Sequence, residues 1–341
     1  MIRPNFMPLP LPPFFNPESA GESHRLSYDG LSNAAAAWKR EHNIRPSRFD
    51  EFKILRLGID LQDTFSLADG ELPITGAVDD IVRASEFDYR YAHVITKRWE
   101  SLDSHQLFQI FHGVYWLNRN GNHPTPGTIM TLASVISGEY RVNPDVAWNL
   151  GMSEEEVHLD AVYYLTMLTK NGRYPLIIWN YHGQVGGVGH TIMPMRHEVD
   201  VFHTFLRGSQ WRPILKGMHP QRENYSIFRF DVTCSLKGEL PGSRSPELLD
   251  ELFSYDMTVI DGQAKSHCVA WTVSDLLDEI WKRDRSLVKK IYLLEDCTSP
   301  VVAPSIGLDF TKEANEAFDR FRDAGVNIVK STDPMDSWPL R

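Results

Sequence analysis

The strongest constraint on the fold is the alternation of short apolar runs with amphipathic segments after about residue 50. The apolar runs lie at 52–60, 91–99, 174–179, 212–217, 257–262, 288–296 and 326–331. The segments with helical periodicity lie at 77–90, 153–171, 192–207, 245–255, 267–284 and 311–324. Strands that alternate with helices predict a mostly parallel, Rossmann-like sheet with helices on both faces, which is a three-layer α/β/α fold.

Two parts of the chain lie outside this alternation. Residues 1–51 are rich in proline, asparagine, serine and glycine, and we expect them to form an N-terminal arm that wraps the body or a neighbouring subunit. Residues 52–341 are then one domain with an insertion at about 113–152, where "NGNHPTPGT" interrupts the pattern. A chain of 341 residues with 42% hydrophobic content can supply a core for a domain of this size.

Composition excludes several classes of partner. The net charge of −10 and the lack of a basic stripe with interleaved aromatic residues argue against a nucleic-acid partner. No run of eighteen apolar residues predicts a membrane span, and prolines interrupt the N-terminus where a signal peptide would be continuous. The three cysteines are far apart without CxxC spacing, so neither a disulfide framework nor a cysteine zinc cluster is indicated. We expect a cytoplasmic protein and a homo-oligomer.

Three residues at predicted strand ends form a candidate catalytic site. Asp60 follows the first apolar run, Lys216 ends the run at 212–217, and Cys268 begins the helix after the run at 257–262. In parallel sheets the carboxyl ends of the strands share one edge, so these side chains should face one crevice. A lone cysteine is commonly a small buried apolar residue. Beside a carboxylate, a lysine and a helix N-terminus, however, we expect a favoured thiolate and a nucleophilic hydrolase site.

A second constellation predicts a metal site. Asp103 and His105 are two residues apart in "SLDSH", so an extended backbone would project them to the same side, and His182 follows the run at 174–179. One carboxylate and two imidazoles suit a divalent metal, with Zn²⁺ expected first and Fe²⁺ or Mn²⁺ as alternatives. His112 could add a fourth ligand. Each of these histidines taken singly would be an ordinary polar loop residue.

Aromatic residues near these groups could form a slot for a flat ring. Phe65 and Trp179 flank the candidate residues in sequence, although core packing is an equal explanation for each. The glycine-rich "GQVGGVG" at 183–189 lacks both the GxGxxG spacing and the GK[ST] ending of nucleotide-binding loops. No GxSxG or HExxH motif occurs.

The ordered motifs resemble those of the nicotinamidase and isochorismatase-like cysteine hydrolases. The matching stretches over roughly residues 52–300 are "DLQDTF", "DSH", "WNYH", "LKG" followed by "NYS", and "GQAKSHCV". The resemblance implies an Asp–Lys–Cys triad in which Asp60 is the general base, Lys216 its cationic partner and Cys268 the nucleophile. It also implies an oxyanion hole at the backbone N–H groups of Ala264 and Cys268, with a cis peptide bond between Gln263 and Ala264.

The same resemblance implies a metal held by Asp103, His105 and His182, and a substrate ring between Phe65 and Trp179, near Tyr225. Nicotinamide is the leading substrate expectation because nicotinamidases use the Asp–His–His set and isochorismatases lack it. Alternatives are another small amide, a carbamoyl compound, an enol ether such as isochorismate, or a non-catalytic binding module. The chain departs from the family in having Gly183 where a cysteine often follows the metal histidine.

Overall fold

The computed structural model describes residues 5–339, so the first four residues of the predicted arm and the last two residues of the chain lie outside it. Its centre is a six-stranded parallel sheet with the order β6-β5-β4-β1-β2-β3. The strands are β1 (Ile54–Ile59), β2 (Lys97–Asp103), β3 (Arg212–Lys216), β4 (Met257–Gly262), β5 (Ile291–Leu294) and β6 (Asn327–Val329). The predicted parallel sheet is therefore confirmed.

Helices cover both faces of the sheet, as the sequence predicted. They are α1 (Tyr28–Glu41), α2 (Asp63–Ser66), α3 (Ala77–Tyr91), α4 (Leu132–Ile136), α5 (Pro144–Leu150), α6 (Glu154–Lys170), α7 (Pro194–Arg207), α8 (Pro246–Phe253), α9 (Cys268–Arg283) and α10 (Thr311–Ala324). The six predicted helices are present within two residues of their expected ends. At the start of α6, Ser153 and Glu156 form the capping box that "SEEE" indicated.

The side chains of β1 show how the layers are divided. Leu55, Leu57 and Ile59 pack with apolar residues of α8, α9 and α10 on one face. Ile54 packs with residues of α3 on the other face. Because every residue of β1 is buried, the strand reads as a nearly continuous apolar run, which is typical of a central parallel strand.

Two expected strands differ from the structure. The run at 91–99 begins too early, because Tyr91, Val94 and Ile95 lie at the end of α3 and in the turn after it, where they pack against the sheet. The run at 174–179 is not a strand of the main sheet. Its short strand Leu176–Ile177 pairs antiparallel with Ile129–Met130. Apolar periodicity detected burial in both places but could not distinguish a sheet strand from other buried backbone.

A cluster of charged side chains, here called the arginine–carboxylate cluster, is buried between the sheet and α3 and α7. Each member is at most 1% exposed, and the members are Arg56, Asp88, Arg98, Glu100, Arg196, Asp200 and Asp261. Asp88 accepts from Arg56 Nε at 2.6 Å, forms an ion pair with Arg98 Nη1 at 2.9 Å, and also contacts Arg196. Since these residues come from three strands and two helices, the cluster ties one helical layer to the sheet.

The described part of the arm packs on its own chain. Leu31, Ala35 and Trp38 of α1 share an apolar cluster with Phe202 of α7 and with Tyr89 of α3. The segment 113–152 contains α4, α5 and the antiparallel pair Trp116–Asn118 with Tyr140–Val142. Its apolar residues pack with α6 and with the cluster that contains Phe65 and Trp179.

The two edges of the main sheet are short. At one edge β6 has three residues, and at the other β3 contains Pro213 and is largely exposed. Within residues 5–339, none of the helices is both long enough and apolar enough to span a membrane.

Candidate active site

The structure brings Asp60, Lys216 and Cys268 together at the carboxyl edge of the sheet. Lys216 Nζ lies 2.9 Å from Asp60 Oδ2 and 3.4 Å from Cys268 Sγ. All three residues are at most 5% exposed. Asp60 follows β1, Lys216 ends β3, and Cys268 begins α9, so the three elements meet as expected for strand ends of a parallel sheet.

The backbone and a neighbouring serine fix the position of Asp60. Its φ of 49° is in the left-handed region, which turns the chain away from β1 toward α2. The Ser101 hydroxyl donates to Asp60 Oδ1 at 2.5 Å, and the Asp60 N–H approaches Ser101 Oγ at 3.1 Å. Asp60 thus keeps one oxygen on Ser101 and the other on Lys216.

Burial determines the protonation of this group. It raises the pKa of the Cys268 thiol well above its ordinary value, and Lys216 opposes that shift only in part. Lys216 favours the thiolate in the expected direction, but burial outweighs it, so the resting group is the thiol. Burial also raises the pKa of Asp60 against the influence of Lys216, while burial of Lys216 is outweighed by Asp103 and Asp60, which hold its pKa above the usual range. A resting thiol of this kind needs a base before it can attack.

The turn before α9 leaves donors free. Among the described residues, the backbone N–H groups of Ala264 and Cys268 donate to no protein acceptor, whereas Lys265 and His267 donate to Ser299 and Ala264. The peptide bond between Gln263 and Ala264 is cis, at the position that the resemblance implied. Unpaired N–H groups beside a nucleophile are suited to hold an oxyanion.

Asp103, His105 and His182 converge as a second group. His105 Nε2 lies 2.9 Å and His182 Nε2 lies 3.5 Å from Asp103 Oδ2. On the opposite side of each ring, His105 Nδ1 faces the Gly217 carbonyl at 3.0 Å and His182 Nδ1 faces the Asn180 carbonyl at 2.7 Å. Backbone acceptors that hold Nδ1 leave Nε2 as the ligand atom, which is the usual arrangement around a metal.

His112 lies beside this group. Its ring centroid is 6.0 Å from those of both His105 and His182, and its buried Nε2 has no hydrogen-bond partner. Burial, together with the neighbouring His182 and His105, lowers the pKa of His112 to about 3, so the ring is neutral and able to ligate.

Charge also fits a cation at this position. Lys216 Nζ contacts Asp103 Oδ1 at 2.8 Å as well as Asp60, so two buried carboxylates share one ammonium group. A divalent ion bound by Asp103, His105 and His182 would offset the remaining negative charge. The donor set, together with the neighbouring His112 Nε2 that lacks a hydrogen-bond partner, therefore fits a metal.

Two glycines allow the candidate metal ligands to pack closely. Gly217 has a φ of +81°, and a Cβ there would lie 2.5 Å from His105 Cε1. Gly183 has a φ of +54°, and its Cβ would lie 2.6 Å from the Asp103 carbonyl oxygen. The departure from the family at Gly183 thus has a local reason, because this backbone has no room for a cysteine side chain.

The aromatic candidates line the same region. The Phe65 ring centroid is 5.6 Å from that of His182, and Trp179 Nε1 donates to Tyr225 Oη at 3.2 Å. Trp179 and Tyr225 both contact the ring of His267, with centroid separations of 5.6 and 5.0 Å. The three predicted ring-binding residues are therefore grouped beside the thiol and the candidate metal ligands.

Sequence reasoning missed three residues that shape the site. Ser101 holds Asp60, and Gln62 bridges to the backbone of Asp103 with bonds of 2.7 and 3.0 Å. His267, whose pKa burial lowers to about 3, has a buried Nε2 without a hydrogen-bond partner. The available signal for Ser101 was spacing, since it is two residues before Asp103 in an extended segment. For Gln62 the signal was its place two residues after Asp60 in "DLQDTF". For His267 the only signal was its position next to Cys268.

No family model and no curated protein match this sequence. The structure, however, has the fold of the nicotinamidases, a class of amide hydrolases, which confirms the resemblance at the level of the fold. A nicotinamidase–pyrazinamidase of Acinetobacter baumanii has a TM-score of 0.52 and 17% identity, covering 84% of this chain and 99% of that one. The yeast nicotinamidase bound to the inhibitor nicotinaldehyde has a TM-score of 0.53 and 15% identity, and the match covers 81% of this chain and 99% of the yeast chain.

Proposed function

We propose that this protein is a cysteine amidohydrolase that releases ammonia from a small aromatic carboxamide, with nicotinamide as the leading substrate. The observation that carries the proposal is the contact of one buried ammonium group, Lys216 Nζ, with both the Asp60 carboxylate and the Cys268 thiol. A nucleophile, a base and a cation in contact beside free backbone donors can carry out acyl transfer.

In the proposed mechanism Asp60 accepts the proton of Cys268 Sγ as the sulfur attacks the amide carbon. The N–H groups of Ala264 and Cys268 donate to the carbonyl oxygen as it becomes negative. Asp60 then returns the proton to the leaving nitrogen, and ammonia departs from a thioester. Water activated by Asp60 attacks the thioester, which gives the carboxylic acid and restores the thiol. Lys216 stays protonated throughout and stabilises the carboxylate and the developing thiolate.

The substrate proposal is supported by the residues around the triad. Phe65, Trp179 and Tyr225 offer aromatic faces for a flat ring. Asp103, His105 and His182, with His112 beside them, would hold a divalent metal, of which Zn²⁺ is the first expectation. When bound, such an ion supplies a Lewis-acid position that can accept a ring nitrogen.

The test is ammonia release from a panel containing nicotinamide, pyrazinamide and a carbamoyl compound, with and without prior alkylation of the protein by a thiol reagent. We expect release from a pyridine or pyrazine carboxamide and its loss after alkylation. Isochorismate is assayed in parallel by product formation. Turnover of isochorismate alone would replace the amidase proposal, and no turnover of any compound would contradict catalysis and favour a binding module.

A further inference from the structure

Gln263 joins the end of β4 to the turn before Cys268, and its side chain is fully buried. A buried amide needs hydrogen-bond partners. Its Nε2 donates to Asp80 Oδ2 at 2.8 Å, its Oε1 accepts from the Ser299 N–H at 3.4 Å, and its own backbone N–H donates to the Ile59 carbonyl at 2.8 Å. Residue 263 is therefore held from three directions.

Asp80 is the side-chain partner of Gln263. It lies in the first turn of α3 and is 2% exposed, and its second oxygen accepts from Arg83 Nη2 at 2.7 Å. A buried carboxylate placed opposite an amide is costly unless its hydrogen bonds are made. The proposed mechanism assigns no role to Asp80 or to the Gln263 side chain.

Gln263 is connected to the proposed oxyanion hole through the peptide unit that it shares with Ala264. The carbonyl carbon of Gln263 and the N–H of Ala264 belong to one plane, so a shift of residue 263 also shifts that N–H. Ala264 N–H is one of the two donors proposed for the oxyanion. A displacement of a donor by about 1 Å lowers the rate by on the order of 100-fold, because the stabilisation of developing charge depends on geometry.

We propose that Gln263 and Asp80 are positioning residues for the oxyanion hole: the Asp80 carboxylate holds the Gln263 amide, and Gln263 aims the Ala264 N–H at the reacting oxygen. The inference rests on the proposed amide hydrolysis. A purely structural role predicts a different result. A loss of packing would lower the melting temperature, but it would not selectively weaken the binding of a ligand that forms a tetrahedral adduct with the thiol.

The experiment compares Gln263→Met, Asp80→Ala and Asp80→Asn with the wild type. Met keeps the length of the side chain without its hydrogen bonds, Ala removes the acceptor for Gln263, and Asn retains an acceptor oxygen. Arg83→Met is the matched control, because it removes the other partner of Asp80 and leaves Gln263 in place. Each variant is assayed for kcat and KM on the best amide, and for affinity toward nicotinaldehyde and nicotinate.

We expect Gln263→Met and Asp80→Ala to lower kcat by about 10- to 100-fold with KM changed by less than about threefold. Affinity for nicotinaldehyde, which forms a tetrahedral thiohemiacetal with the thiol, should fall in parallel, while affinity for the trigonal nicotinate should not. Asp80→Asn should restore most of the loss seen in Asp80→Ala, and Arg83→Met should remain near the wild type.

An active wild type whose Gln263→Met and Asp80→Ala variants fall no further than Arg83→Met would overturn this inference alone. If Gln263→Met does not fold, the pair Asp80→Ala and Asp80→Asn decides the question, and equal kcat in those two variants overturns the inference. A wild type inactive on every amide overturns the proposed function and this inference with it.

Discussion

The candidate active site and the arginine–carboxylate cluster are both buried groups of charge on the same sheet, yet they differ in residue type. The arginine–carboxylate cluster contains Arg56, Arg98 and Arg196, whose guanidinium groups stay protonated and offer several donors each. The candidate active site contains lysine, cysteine and histidine, which can change protonation, attack a carbonyl or bind a metal. Burial of charge alone therefore does not identify a functional site.

The two groups also differ in their position on the sheet. The arginine–carboxylate cluster lies on the face of the sheet, where α3 and α7 cover it. The candidate active site lies at the carboxyl edge, where strands give way to loops and to the N-terminus of α9. Loops at that edge supply free backbone donors, which a covered sheet face cannot do.

The largest effect that separates the two regions is expected from Cys268→Ala. Removing the proposed nucleophile should lower amide hydrolysis by on the order of 10⁴-fold or more while changing the melting temperature little. Ammonia release and thermal unfolding measure the two effects. Cys234→Ala and Cys297→Ala serve as controls that should keep activity, and loss of activity in a folded control would mean that the wrong cysteine was chosen.

Asp88→Asn should have the opposite effect, lowering stability while leaving the specific activity of the folded protein near that of the wild type. It removes the negative charge that Arg56, Arg98 and Arg196 share, and uncompensated buried charge should lower the free energy of unfolding by about 3–5 kcal/mol. Urea unfolding measures the loss. Glu86→Gln, on the same helix but partly exposed, should change stability by less than about 0.5 kcal/mol. A specific activity of folded Asp88→Asn far below the wild type would show that the two regions are functionally coupled.

The next largest difference between the two regions is expected in metal binding. His182→Ala should lower metal affinity by on the order of 100-fold, because one of the three proposed ligands is lost while the sheet is unaffected. His112→Ala should have a smaller effect in the same direction, and the exposed His123→Ala should have none. Elemental analysis after dialysis against a chelator measures occupancy. If wild-type protein prepared without a chelator contains no metal, the proposed metal site is wrong, and its support for nicotinamide as the substrate is lost.

Glu100 provides a pH test of the arginine–carboxylate cluster. Burial raises its pKa from 4.5 to about 7, although Arg196 opposes the shift. The folded protein therefore holds a proton that the unfolded chain has released, so this group makes the wild type less stable as pH rises from about 4.5 to about 7. Glu100→Gln should lack this contribution of about 1–3 kcal/mol, which denaturant titrations across that range can measure. If the free energy of unfolding changed with pH in the same way in both proteins, Glu100 would not be the group responsible.

Ser101→Ala is expected to have the smallest effect. Loss of the hydroxyl that donates to Asp60 should lower kcat by about 10-fold, since a hydrogen bond to a charged group contributes roughly 1.5 kcal/mol at the low end of its range. Ser101→Thr keeps a hydroxyl and should recover most of the activity. Equal kcat in Ser101→Ala and the wild type would mean that Lys216 alone orients the carboxylate.

The sequence was most informative where the local pattern and the strand ends determine the structure. Helical periodicity placed α3 and α9 within two residues, and strand-end reasoning placed Asp60, Lys216 and Cys268 in one crevice. This succeeded because the carboxyl ends of parallel strands meet at one edge whatever the loops between them do.

The sequence was least informative about pairings between distant residues. Arg56 lies inside an apolar run, and its partners Asp88 and Asp261 are 32 and 205 residues away. The hydrogen bond between Gln263 and Asp80 spans 183 residues. The pKa of Cys268 could not be read from its neighbours either, because the extent of burial depends on how segments far apart in the chain close over it.

The edges of the main sheet have a consequence for how molecules can associate. A sheet grows from one molecule to the next when an edge strand offers a row of free donors and acceptors. Here Pro213 removes a donor from β3, Arg212 places a charge beside it, and β6 offers only three residues. These features disfavour a homo-oligomer that joins the two edges, and they oppose edge-to-edge joining into fibrous aggregates when chains refold at high concentration.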